Sequence, residues 1–212
     1  MTEDLRLLQS EYKDSLLVES EVMCANSMRY EYGDKYDLVI TSPPYMNGLD
    51  YVMNYKIEMA WLGFTNSHKE AKAIKDAMVV CDNVSKGLIR DFSKSQHYSN
   101  PWLDHIIESI SRNIQTRQAY RRTDMAWIVA KYFDDMNEVI EKVSKSLNQE
   151  GRFILVVGDS LIADTYVPTD LILAKIGTEH GLDIESIELA RNRRSGQIRD
   201  YRLRETVVTL RK

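Results

Sequence analysis

Ser42-Pro43-Pro44-Tyr45 is the segment of this sequence whose residue types could do chemistry. The serine brings a hydroxyl oxygen and Pro43 a backbone carbonyl, while consecutive prolines fix φ at two positions and offer no N–H. Such a turn can hold hydrogen-bond acceptors toward a ligand at small ordering cost. Tyr45 adds a flat ring on which a heterocycle can stack. Taken alone, the tetrapeptide also suits a polyproline II ligand segment or a plain turn.

Its surroundings narrow the choice. Tyr36-Asp-Leu-Val-Ile-Thr41 is a short apolar, partly β-branched run that stops abruptly at the motif, as a buried parallel strand running into a loop does. Ligands of open α/β sheets bind at such carboxyl ends. Downstream, Tyr51, Tyr55, Met59 and Leu62 recur at helical spacing up to Gly63, predicting an aromatic helix before Phe64. The face Phe133, Met136, Val139, Ile140, Val143 and Leu147 predicts a second helix, with Gly151 as its C-cap. Arg152 to Val157 then reads as a buried strand ending in Val156-Val157-Gly158-Asp159-Ser160. A further helix follows from Pro168, with Leu171 to Ile176 as its apolar part and Gly181 as its stop. Strands at Ile184 to Leu189 and Glu205 to Leu210 close the chain, and Leu16 to Cys24 supplies a weaker one upstream. Alternating elements of this kind predict a mostly parallel sheet covered on both faces, finished by an antiparallel hairpin.

Thr65 to Thr123 differs: it is polar, mixed in charge and without strand alternation, with helical stretches around Glu70 to Val80 and Leu103 to Ile114. It reads as a helical insertion, a candidate recognition region, between residues 1–64 and 124–212. Two arginine-rich segments stand out. One runs from Arg112 to Arg122 and the other, Arg191 to Arg204, holds six Arg against one Asp in the expected hairpin loop. Arg121, Arg122, Arg191, Arg193, Arg194 and Arg199 are candidate phosphate contacts, although a solvated helix face and a charged hairpin have the same composition.

At net charge −4 and a pI of about 5.6, a nucleic acid would be held by such patches and not by the whole surface. Cys24 and Cys81 form no C-x-x-C pair, and His68, His97, His105 and His180 show no ligand spacing, so no metal is expected. The first residues carry acids where a secretory signal needs a basic end, and no window approaches the ~18 apolar residues of a membrane span. A cytoplasmic protein is the expectation.

DLVITSPPY, the following YMNGLDY and WLGF, and the closing RLRETVVTLRK together resemble the amino-group DNA methyltransferases, which methylate N4 of cytosine or N6 of adenine from S-adenosylmethionine. The resemblance covers most of the chain outside Thr65 to Thr123. It implies an α/β fold, part of a Rossmann-like class I methyltransferase sheet with its C-terminal hairpin. It also gives roles to residues: Ser42, Pro43, Pro44 and Tyr45 are catalytic, with Tyr45 stacking on a flipped base. Asn26 and Ser27, where family members contact the cofactor adenine, and Thr41, Asp50 and Tyr51 become cofactor-side candidates. For Asp50 and Tyr51, a solvated loop acid and a packed aromatic are equally open. Ser before the Pro-Pro pair tilts the target toward cytosine N4, and RNA base amines are a further possibility.

The same resemblance makes a demand that the sequence does not meet. The family holds its cofactor with a D-P-F-x-G-x-G loop after the first strand, yet no two glycines here are closer than Gly177 and Gly181. Only about 35 residues precede the DLVI strand, enough for one strand at most. The strand carrying the motif should therefore have a bare apolar edge. The expectation is a two-chain enzyme whose Gly-rich half lies on a partner, with a homo-oligomer or a non-catalytic DNA-binding remnant as alternatives.

Overall fold

A computed structural model describes residues 6, 20–33, 35–46, 48, 50–81, 83–117, 122–194 and 201–212. The apolar run Tyr36–Thr41 forms β1, and Leu147–Gly158 forms β2 parallel to it, with Val39 opposite Phe153 and Thr41 opposite Leu155. β5 (Asp183–Arg194) and β6 (Arg202–Arg211) make the closing hairpin, and β6 lies antiparallel to β2, giving the order β1-β2-β6-β5. The fold is thus mixed α/β. One of its three strand junctions is parallel, so the sheet is not mostly parallel, because the hairpin inserts β6 against β2 instead of lying wholly at the edge. β5 also runs past Leu189 to Arg194: Arg191, Arg193 and Arg194 stand on a strand, not in a loop.

Helices α6 (Met125–Ser146) and α7 (Thr169–Glu179) cover one face of this sheet. Phe133, Met136, Ile140 and Val143 of α6 meet Phe153, Leu155, Val157, Val208 and Leu210, all essentially inaccessible. Gly177 lets α7 approach β6, since a Cβ there would come within 2.5 Å of the Leu210 side chain. Gly181, at φ +80°, ends this segment as expected. Gly151 does not cap α6; it lies in β2, where a Cβ would meet the carbonyl oxygens of Asn148 at 2.8 Å and Tyr36 at 3.0 Å. The chain needs a glycine there for close backbone approach.

The opposite face of the sheet is open among the described residues. Leu38 is 51% and Ile40 63% exposed, and Ile154, Val156 and Val207 beside them are half-buried. No described strand pairs with the outer edge of β1. The upstream strand expected at Leu16 to Cys24 is not formed over residues 20–24, where Val22 is 98% exposed and buries nothing, and its first part lies outside the described residues.

The expected aromatic helix is two short ones, α1 (Tyr51–Asn54) and α2 (Lys56–Trp61), broken at Tyr55. Val52 is their one buried residue, while Ile57, Trp61, Leu62 and Phe64 are between 60 and 87% exposed. Residues 65–123 carry α3 (His68–Ala77), α4 (Lys86–Phe92) and α5 (Pro101–Arg117). The Asn100 side chain starts α5 by accepting from Trp102 and Leu103 N–H. Val80, Val84, Ile89, Leu103 and Ile110 from this stretch share the core of α6. After β2, a hairpin of β3 (Ser160–Ile162) and β4 (Thr165–Val167) turns through Ala163 and Asp164, both at positive φ, and Asn113 of α5 donates to the Ala163 carbonyl at 2.8 Å. No described helix is long and apolar enough to cross a membrane, and no described cluster has metal-ligand composition.

Candidate active site

The carboxyl end of β1 delivers the Ser-Pro-Pro-Tyr segment to the carboxyl end of β2. Pro43 is buried and Met46 is 1% exposed, so the loop is anchored in the core on both sides of Tyr45. The Tyr45 carbonyl accepts from Gly48 N–H at 3.0 Å, closing a turn in which a Cβ at Gly48 would sit 3.0 Å from the Tyr45 Cβ. The exposed Ser42 hydroxyl donates to the Val156 carbonyl at 3.2 Å. With its hydrogen directed at β2, the oxygen keeps its lone pairs as acceptors for another group.

Tyr45 is held from two sides by the hairpin. The Arg193 guanidinium lies over its ring, 4.9 Å from the centroid, and also donates to the Asp159 carbonyl. Glu205 of β6 lies at its hydroxyl, and Arg191 grips Glu205 through two bonds of 3.0 Å. Burial and then the Glu205 carboxylate push the Tyr45 hydroxyl above its ordinary pKa, against the pull of Arg193 and Arg191. Glu205 is held below the usual carboxylate range by the Arg191 bond, which outweighs its burial. Behind them, Asp159 accepts from Tyr166 and from Arg204 Nε at 3.0 Å, and Arg204 also grips Asp170 through contacts of 3.0 and 2.9 Å. Burial, with Asp159 adding to it, raises the Asp170 carboxyl.

A cavity of about 350 Å³ opens beside the motif, walled by Ser27, Thr41, Ser42, Pro43 and Pro44 over Val39, Met136 and Phe153. Asn26 faces a neighbouring cavity with Ser27 and Pro44, but its amide is engaged: Oδ1 accepts from Met28 N–H and Nδ2 donates to the Ala77 carbonyl. Asp50 is neither solvated nor turned to this cavity. Its carboxylate caps α1 at Met53 N–H and accepts from Lys75 and from Asn83 at 3.0 Å. Those bonds outweigh burial and keep it below its ordinary pKa. Tyr51, at the start of α1, is 40% exposed and lines neither cavity.

Of the arginines, Arg191 and Arg193 reach the motif, and Arg194 is exposed. Arg122 turns inward on the helical segment, with two bonds to Asp124 at 2.9 and 2.7 Å and one to the Val84 carbonyl at 2.8 Å. Arg121 and Arg199 lie outside the described residues. Glu205, Gly158, Asp159 and Arg204 complete the site without having been singled out. The signal for Gly158, Asp159 and Glu205 is position: Gly158-Asp159 follows the apolar run of β2, and Glu205 opens the apolar run of β6.

No family model matches the chain. The Type II methyltransferase M.AvaI of Nostoc sp., and that of Anabaena variabilis, are each 28% identical to it over 158 residues, 73% of this chain and 32% of theirs. M.BsoBI of Geobacillus stearothermophilus, also a Type II methyltransferase, is 22% identical over 162 residues, 69% of this chain and 31% of its own. A solved chain from Thermus thermophilus, provisionally described as a DNA modification methylase, superposes with a TM-score of 0.32 at 16% identity, over 58% of this chain and 49% of its own. That superposition is too loose to carry an argument. Over about three quarters of its residues, and about a third of theirs, the chain is similar to Type II methyltransferases.

Proposed function

We propose that this chain is the base-gripping, catalytic half of a two-chain, S-adenosylmethionine-dependent DNA methyltransferase acting on an exocyclic base amine, cytosine N4 in preference to adenine N6. The observation that carries the reading is the acceptor state of Ser42: its hydrogen goes to Val156, so its oxygen faces outward as an acceptor two prolines away from a clamped Tyr45. An amine whose lone pair is delocalised into a base becomes nucleophilic when acceptors bind its hydrogens and tilt the pair out of the ring plane. Ser42 Oγ and the Pro43 carbonyl are those acceptors. Tyr45 stacks on the base outside the duplex, replacing roughly 1–3 kcal/mol of lost stacking. No strong base is required, because the amine proton becomes acidic once the nitrogen is alkylated. Ser before the Pro-Pro pair is the feature that favours cytosine.

Bound, the cofactor supplies an electrophilic methyl group. The described residues fit one end of it: the cavity of about 350 Å³ is lined by apolar residues suited to a flat ring, with Ser27 and Thr41 among them. They do not fit the rest, for no close pair of glycines is present to cradle it. The open edge of β1, with Leu38 and Ile40 exposed, supports a second chain that brings this cradle. The match spans only about a third of the relatives' own length.

Calorimetric titration of S-adenosylmethionine into the chain alone tests the split. Little or no heat is expected; tight, stoichiometric binding rejects it. Mass spectrometry of nucleosides from DNA treated with both chains names the base, and unchanged transfer after Ser42→Ala or Tyr45→Ala would leave the chain a non-catalytic DNA-binding component.

A further inference from the structure

We infer that Arg193 is a positioning residue for Tyr45 and not a phosphate contact. Three observations meet here. Its guanidinium sits over the Tyr45 ring, 4.9 Å from the centroid, and donates to the Asp159 carbonyl at the end of β2. Its Nε is buried and without a partner, so the group lies on the protein side of the ring and not in solvent. Gly158 makes the room: a Cβ there would stand 2.8 Å from Arg193 Nη2, 3.0 Å from its Nε and 3.0 Å from Tyr45 Cε2.

The consequence is a ring with one face occupied and its hydroxyl end fixed. A cation on one face of a phenol ring is attracted by the ring quadrupole and opposes its rotation. Glu205, itself locked by Arg191, marks the hydroxyl end. In the methyltransferase reading a base would take the face away from Arg193. By contrast, a phosphate contact requires the guanidinium to point outward with its donors free, as at the exposed Arg194. The role assigned to the ring rests on the methyltransferase reading above; the geometry of the clamp does not.

Fluorotyrosine placed at position 45 of the lone chain, followed by fluorine NMR through the phenol titration, reads the clamp without DNA or cofactor. Arg193→Met should raise the Tyr45 pKa, as loss of a nearby cation does, and Glu205→Gln should lower it. Arg193→Lys, which keeps the charge, should recover most of the Arg193→Met change and guards against misfolding of that variant. A Tyr45 titration indifferent to all three overturns the inference.

DNA binding by the chain, measured against salt, separates the two roles. Arg194→Met should lower the slope of log K by about one, as loss of a phosphate contact does, whereas Arg193→Met should leave it unchanged. A drop of the same size for Arg193→Met overturns the inference. In the reconstituted two-chain enzyme, single-turnover methyl transfer should fall about tenfold in Arg193→Met with KM for DNA unaltered. Equal rates for parent and variant sink the positioning role alone. A parent complex without activity sinks the methyltransferase reading, and the fluorine titration still decides the clamp.

Discussion

The Ser42 hydroxyl donates to the Val156 carbonyl at 3.2 Å, tying the end of β1 to the end of β2 across the mouth of the site. Ser42→Ala removes the outward lone pairs together with this bond. Methyl transfer by the proposed two-chain enzyme should fall by about a hundredfold or more, while the chain loses only about 1 kcal/mol, or roughly 2–4 °C in Tm. Thermal unfolding and single-turnover rates on the same preparation check this. A large Tm loss with an equal loss of rate would make Ser42 a structural residue.

Asp50 caps α1 and joins the loop after Tyr45 to Lys75 and Asn83. Asp50→Ala should destabilise the chain by about 1–2 kcal/mol through the lost cap and the stranded lysine. Affinity for S-adenosylmethionine in the proposed two-chain enzyme should be altered no more than this loosening of the loop explains. Denaturant unfolding and calorimetry on the same variant decide whether Asp50 is an anchor, as its bonds indicate, or a cofactor ligand.

Ile40 is 63% exposed beside the open edge of β1. Ile40→Asp should therefore leave the Tm of the isolated chain within about 2 °C of the parent. It should abolish assembly with the proposed Gly-rich partner, because it places a charge on the surface which such a partner would have to bury. Analytical ultracentrifugation of the mixed chains reads the result, and undiminished assembly would move the docking surface elsewhere.

Arg122 makes three bonds to Asp124 and the Val84 carbonyl with its side chain 12% exposed, so it serves the fold. Arg122→Ala should cost about 1–3 kcal/mol and leave the salt slope of DNA binding untouched. The Arg122 bond holds the Asp124 carboxyl below its ordinary pKa, against burial. A depressed folded-state pKa gives stability that is present above the unfolded value of about 3.9 and lost as pH falls below it. The stability difference between parent and Arg122→Ala should accordingly shrink in acid below about pH 4, which urea melts at pH 7 and pH 3 would show.

Sequence alone was enough for elements whose pattern is local. The β-branched run 36–41 halted by two prolines, the α6 face from Phe133 to Val143, and the Gly181 stop each follow from period, sterics or φ within a few residues. It also singled out Ser42 to Tyr45 and led to the expectation of a bare β1 edge, beside which no described strand lies. Tertiary structure decided everything that depends on pairs distant in the chain. Arg193 reads as a solvent-facing charge, yet the β5–β6 register places it over Tyr45, and Arg191, itself exposed, grips Glu205. Asp50 and Arg122 look solvated until Lys75 and the Val84 carbonyl are seen beside them. The polarity of the sheet likewise depends on where the hairpin docks, and hydropathy periodicity is blind to strand direction. A side chain's charge is written in the sequence, but whether water or another side chain answers it is set by which surfaces the fold brings together.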